Sequence, residues 1–149
     1  MLRTRVITAV ILVVCFLLAV SLLSSLWWSL FILGAVLLAA HEWCGLWSFE
    51  PAQELIYLAS IAGIAGLALF VLPPRILATP FYGCSVLFWF LAAPLWLKLG
   101  WNPASKLVGV FAGWLILVSF WLAMLDLREL GPWWLLAAMA LVWVADIAA

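Results

Sequence analysis

The sequence predicts an all-α fold: a polytopic bundle of about six transmembrane helices. Two observations carry this. Hydrophobic residues make up 71% of the 149 positions, and only 8% are charged. A soluble domain is nearer 45–50% apolar and about 25% charged, because it must cover its surface with polar groups. The second observation is arrangement. The apolar residues fall in runs of about 17 to 20, the length a helix needs to cross the hydrocarbon core, with the charges between the runs. The runs do not alternate in polarity over about ten residues, as the strands of a membrane barrel do. Helices pair every backbone N–H and C=O within the segment, which lipid requires.

The spans follow in order. Arg3 and Arg5 precede the first, Val6 to Leu23. It resembles a secretory signal in its charge but is longer than a signal core, lacks a small-x-small cleavage site and is followed at once by another span, so a retained helix is expected. Ser24 and Ser25 make a turn into the second span, Leu26 to Ala40, which runs on into His41–Trp47 and is slightly short unless it reaches Leu46. A polar loop is expected over His41 to Glu54, with Pro51 suited to the first turn of a new helix. The third span, Leu55 to Leu72, stops at Pro73 and Pro74. Arg75 is expected in the next loop, before a fourth span from Phe81 to Leu97 with Pro94 near its end. Asn102-Pro103 marks a turn inside the loop Lys98 to Lys106. The fifth span is Leu107 to Leu125. Asp126, Arg128 and Glu129 then suggest a compact charged loop ended by Gly131-Pro132, and the sixth run is Trp133 to Ala149, interrupted by Asp146. No internal repeat or linker divides the chain, so residues 1–149 are expected to form a single transmembrane domain.

Lysine and arginine set orientation, since they collect in cytoplasmic loops. With six spans, Arg3, Arg5, Lys98 and Lys106 share one side and Arg75 and Arg128 the other, four against two, which places the N-terminus and the Asp146 end in the cytoplasm. Trp27, Trp28, Trp43, Trp47, Trp96, Trp101, Trp133 and Trp134 lie near span ends, where indole suits the headgroup level. Trp114 and Trp121 share a helix face, and either pack or meet lipid. Gly109 and Gly113 form a GxxxG step, and Ala59/Gly63 and Ala62/Gly66 form small-xxx-small steps. All three favour close helix approach, to this chain or to another subunit.

Few residues offer chemistry. The net charge is zero, which gives no basis for nucleic-acid binding. Cys15, Cys44 and Cys84 show neither CxxC nor CxxH spacing, so they read as buried or lipid-facing thiols. No phosphate loop, GxSxG or HExxH occurs. An ionisable residue at membrane depth is a functional candidate, and Asp146 is the leading one. Its carboxylate could hold a divalent metal ion or a polar headgroup, or simply emerge solvated at the interface. Glu42 beside His41 suggests acid–base or metal work. A lone histidine makes a poor metal site, so Glu42 reads first as a structural polar residue ending a helix. Asp126, Arg128 and Glu129 read as a solvated turn.

Three stretches resemble the phosphatidate cytidylyltransferase (CDP-diacylglycerol synthase) family. The start, Met-Leu-Arg-Thr-Arg-Val-Ile-Thr-Ala, is similar to that family's opening. Leu38-Ala39-Ala40-His41-Glu42-Trp43-Cys44-Gly45-Leu46 resembles its Glu-Trp-x-x-Leu element. Trp133 to Ala149 resembles the helix leading into its Asp-x-x-Ala-Tyr-Phe-x-Gly segment, with Asp146 at the Asp. The resemblance covers the N-terminal half of such enzymes. The family's Ser-Pro-x-Lys-Thr element and its Lys/Asp/Gly/Arg-rich signature are not in the sequence, so the chain is expected to be a truncated half, inactive alone, with its catalytic residues unassigned. The resemblance implies a nucleotidyltransferase of phospholipid biosynthesis, moving CMP from CTP to phosphatidate to give CDP-diacylglycerol and pyrophosphate. It also implies Mg²⁺ as cofactor, CTP, phosphatidate and membrane lipid as partners, and residence in a bacterial inner (plasma) membrane. Homo-oligomer formation stays open. The competing reading is a non-enzymatic membrane scaffold or assembly subunit. A transporter is disfavoured because the spans are nearly free of polar residues at mid-depth.

Overall fold

The computed structural model describes residues 2–71, 74–100 and 105–148, and the side chains of residues 2–6, 8–9, 12, 74–75 and 147 lie outside the description. The Asn102-Pro103 turn and Trp101 also lie outside it. Every regular element among the described residues is helical: α1 (Leu2–Leu22), α2 (Ser25–Leu46), α3 (Pro51–Phe70), α4 (Pro74–Leu87), a π turn (Phe88–Ala92), α5 (Ala93–Leu99), α6 (Lys106–Leu130) and α7 (Pro132–Ala148). Four stretches are long and apolar enough to cross a membrane: Ser25–Leu46, Pro51–Phe70, Ile76–Leu99 and Lys106–Leu130. Two shorter apolar helices, Val13–Leu22 and Pro132–Asp146, lie in α1 and α7. This agrees with about six hydrophobic helices in an integral membrane protein.

Local chemistry sets the helix ends. Pro51 opens α3 behind the N-cap residue Glu50, whose backbone N–H is accepted by Gln53 Oε1 at 3.1 Å. Gly100 closes α5 in the left-handed region at φ 57°, and Gly131 separates α6 from α7 at φ 143°. Pro94 has no N–H and its ring crowds the preceding turn. The backbone answers with the π turn, in which Ala93 N–H reaches back to Phe88 O.

Three boundaries differ from the sequence expectation. His41 to Leu46 continue α2 and Glu54 lies in the first turn of α3, so the polar loop shrinks to the residues around Ser48. Arg75 belongs to α4, because Pro74 serves as a first-turn residue and Pro80 is accommodated inside the helix. Asp126, Arg128 and Glu129 form the last turn of α6 and not a loop. Arg128 finds its partners across the bundle, as described below.

The chain gathers into two compact units, Met1–Phe31 with Met124–Ala149, and Ile32–Ala123. In the first, Trp28 and Leu135 are buried, and Phe16 sits edge-on to Trp28 at 5.8 Å and to Trp143 at 6.4 Å. Trp28 therefore anchors a core, whereas the sequence placed it in the interfacial belt. Trp27, Trp133 and Trp134 are exposed, as belt residues are.

In the second unit α2 buries Ile32, Val36, Ala40 and Cys44, each one turn after the last. α3 contributes Tyr57, Ile61, Ala65 and Ala68. The GxxxG step of α6 packs inside this unit: a side-chain carbon on Gly109 would overlap the Trp47 ring, and one on Gly113 would meet Tyr57 Oη and Trp43 Nε1. Gly63 and Gly66 of α3 have open space around them. Hydrogen bonds between helices supplement the packing. Trp114 Nε1 donates to Ser60 Oγ at 2.9 Å, and Ser85 Oγ and Ser119 Oγ lie 2.7 Å apart. Large apolar side chains such as Leu38, Phe70, Phe90 and Leu97 remain exposed. This suits a lipid solvent and would be a liability in water.

Candidate functional site at the polar end of the second unit

One set of polar residues of the second unit meets where α2 ends and α3 and α6 begin. His41 and Trp43 come from the last turns of α2, Glu50, Gln53 and Glu54 from the start of α3, and Lys106 from the first position of α6. The pairing is specific. His41 Nδ1 lies 2.5 Å from Glu54 Oε1, Lys106 Nζ donates to Gln53 Oε1 at 2.9 Å, and Trp43 Nε1 donates to Gly109 O at 2.9 Å. The partner of His41 is thus Glu54 and not its chain neighbour Glu42. Consecutive helical residues point in different directions, so only one of the two can face α3. Glu42 is exposed. His41 is exposed as well, which makes its pair with Glu54 a weak surface contact.

Two cavities open beside this end. The smaller, about 340 Å³, is lined by Gln53, Tyr57, Ser60, Lys106 and Trp114 among others. The larger, about 580 Å³, lies between the π turn with α5 and the first half of α6. Leu107 lines both. Tyr57 is buried, and its hydroxyl has no hydrogen-bond partner among the described residues.

Asp146 belongs to the first unit, on α7, and its side chain is exposed. Among the described residues no three His, Cys, Asp or Glu side chains gather closely enough to hold a metal ion. A single exposed carboxylate is a poor cage for Mg²⁺, which needs octahedral oxygen donors. The residues described therefore do not fit a magnesium centre by themselves. Cys44 is buried, and Cys15 and Cys84 are exposed, all as free thiols.

The first unit holds a polar cluster that the sequence did not single out. Arg128 Nε donates to Val20 O at 3.1 Å and its Nη2 to Leu23 O, while the guanidinium lies 5.1 Å from the Trp28 ring centre. Trp28 Nε1 donates to Met124 O at 3.2 Å. In the sequence Arg128 stands between Asp126 and Glu129 at a span end, which reads as a solvated turn.

Fold and site together define a polytopic helical membrane protein with a polar helix junction and grooves running from it along apolar helices. The chain belongs to the cytidylyltransferase family, whose model matches residues 3–149. A phosphatidate cytidylyltransferase of Pseudomonas aeruginosa is 33% identical over 156 residues, covering 100% of this chain and 56% of that relative. The chain thus spans little more than half the length of the curated relative. No solved structure matches it.

Proposed function

We propose that this chain serves in a CTP:phosphatidate cytidylyltransferase, in which a phosphatidate oxygen attacks the α-phosphorus of CTP. The new P–O bond gives CDP-diacylglycerol, and the bond to the β-phosphate breaks to release pyrophosphate. The observation that carries the reading is the family match along residues 3–149, supported by the relative bearing this name. The architecture suits the substrates, because one is a bilayer lipid and the other a water-soluble nucleotide. A bundle with exposed apolar helices and a polar end gives each an approach. The charge distribution supports a cytoplasmic N-terminus in a bacterial inner membrane, with His41, Glu54, Lys106 and Asp146 at the cytoplasmic face. Asp146 would contribute one carboxylate to a polar site that further residues complete, and Glu42 would stay a structural polar residue at the end of α2.

A chimera tests this. Residues 3–149 replace the matched 56% of the Pseudomonas aeruginosa relative, and membranes carrying it are given labelled CTP, Mg²⁺ and phosphatidate. CDP-diacylglycerol formation is expected, along with its loss on Asp146→Ala. A chimera that inserts with full helicity and forms none would overturn the assignment.

A further inference from the structure

The fourth span, Ile76–Leu99, is fastened to α6 along its first half. There Ala78 is buried, and Ser85 Oγ donates to Leu115 O at 3.2 Å and lies 2.7 Å from Ser119 Oγ. Past this point no residue from Phe88 to Leu99 is buried. Here the span faces α6 across the larger cavity, about 580 Å³.

The two sides of that cavity match. Ala92, Leu95 and Leu99 line it from the fourth span, and Val108, Phe111 and Leu115 line it from α6. Both sets step by three and then four residues, the spacing of a helix-packing stripe. Yet Leu95, Leu99 and Phe111 are all exposed. Two complementary apolar stripes thus stand apart instead of interlocking. The π turn, Phe88–Ala92, falls where the fastened half gives way to the free half. Its backbone is wider than an α-helix, and Pro94 just beyond it has no N–H to return to the preceding turn. On the free half Trp96 meets Trp47 edge-on, 6.4 Å between ring centres, and the Trp47 ring lies against Gly109.

We propose that residues 88–99 form a hinged arm, pinned at Ser85 and Ser119, which turns at the π turn and closes onto α6 by interlocking the two stripes. Closing exchanges contacts with lipid chains for contacts between helices. Lipid chains are as apolar as leucine, so neither position has a hydrophobic advantage and both are populated. The arm decides whether the second unit stands open sideways to the bilayer. Trp47 links it to Gly109 and Trp43 at the polar junction. The arm is a property of the second unit alone and does not rest on cytidylyl transfer.

The test uses the whole chain in lipid nanodiscs, with Cys15, Cys44 and Cys84 replaced by alanine. Spin labels are attached at Leu97→Cys on the arm and Val110→Cys on α6, and pulsed electron spin resonance reads the distances between them. Two distances are expected, differing by about 5 Å, roughly one layer of side chains between packed helices. A reference pair beside the pin, Val86→Cys with Phe120→Cys, should give one distance. Ala92→Phe wedges the cavity and should leave only the longer arm distance. Pro94→Ala restores the N–H and should merge the two arm distances into one. Trp47→Leu frees Trp96 and should raise the share of the shorter distance about threefold, the effect of one aromatic edge contact. Circular dichroism checks the helicity of every variant. Ala92→Leu replaces Ala92→Phe, and Ile56→Cys replaces Val110→Cys, if either disturbs the helices. A single arm distance in the otherwise unaltered chain, long or short, would overturn the proposal, as would an equal spread in the reference pair.

Discussion

Arg128 shows how one side chain can be costly and still hold a fold together. The last carbonyls of a helix have no intrahelical donor, and in lipid no water supplies one. The guanidinium gives two N–H groups to Val20 O and Leu23 O at the end of α1, and rests against the Trp28 face. A cation there also complements the negative end of the α1 dipole. Arg128→Met keeps the apolar stem and removes all of these contacts, so it should cost about 2–3 kcal/mol. Arg128→Lys should rescue only part, because a point charge lacks the fork. Unfolding followed by circular dichroism as sodium dodecyl sulfate is added to mild-detergent micelles measures both. Wild-type stability in Arg128→Met would refute the clamp. The sequence showed the residue and hid the role. Val20 and Leu23 lie more than a hundred positions from Arg128, and nothing local marks a carbonyl that will need a donor.

At the scale of the helix, the same small-residue spacing gave different results in α3 and α6. Gly109 and Gly113 meet Trp47, Trp43 and Tyr57, while Gly63 has nothing within 4 Å. Spacing reports that close approach is possible, and only the large side chains of other helices decide where it happens. The two glycines of α6 should differ as well. Trp47 is half-exposed and can swing away from a methyl group at position 109. Tyr57 is buried and Trp43 is tied to Gly109 O, so neither yields easily at position 113. Gly113→Ala should therefore destabilise by about 1–3 kcal/mol, and Gly109→Ala by less. Gly63→Ala should be neutral or stabilise by up to about 1 kcal/mol through helix propensity. The same detergent titration ranks the three, and a Gly63→Ala as damaging as Gly113→Ala would refute the packing described. Apolar periodicity located the helices well but misplaced their ends at Arg75 and Asp126. Charged residues were assigned to loops there, whereas Pro74 and the partners of Arg128 let the helices continue.

For the molecule as a whole, the legible part was the solvent. A chain with 71% hydrophobic residues can be placed in lipid from composition alone, and its exposed leucines and phenylalanines agree. Orientation is the finer question, and the structure sharpens it by grouping charges. The end of α2, the start of α3 and the start of α6 meet through the Lys106–Gln53 and Trp43–Gly109 hydrogen bonds, which places His41, Glu42, Glu50, Glu54 and Lys106 at one end of the second unit. Acidic residues there count for little in topology, whereas Lys98 and Lys106 add to Arg3 and Arg5 if the spans alternate. A reporter active only in the cytoplasm should therefore read out when fused after Ser48, between α2 and α3, and a phosphatase active only outside it should read out when fused after Gly131, between α6 and α7. Replacing Arg3, Arg5, Lys98 and Lys106 with glutamine removes the bias and should yield mixed reporter signals. The opposite pattern in the wild-type chain would put the polar junction on the wrong side for a cytoplasmic nucleotide. That result would refute the cytidylyltransferase proposal at its geometric root, even with the family match intact.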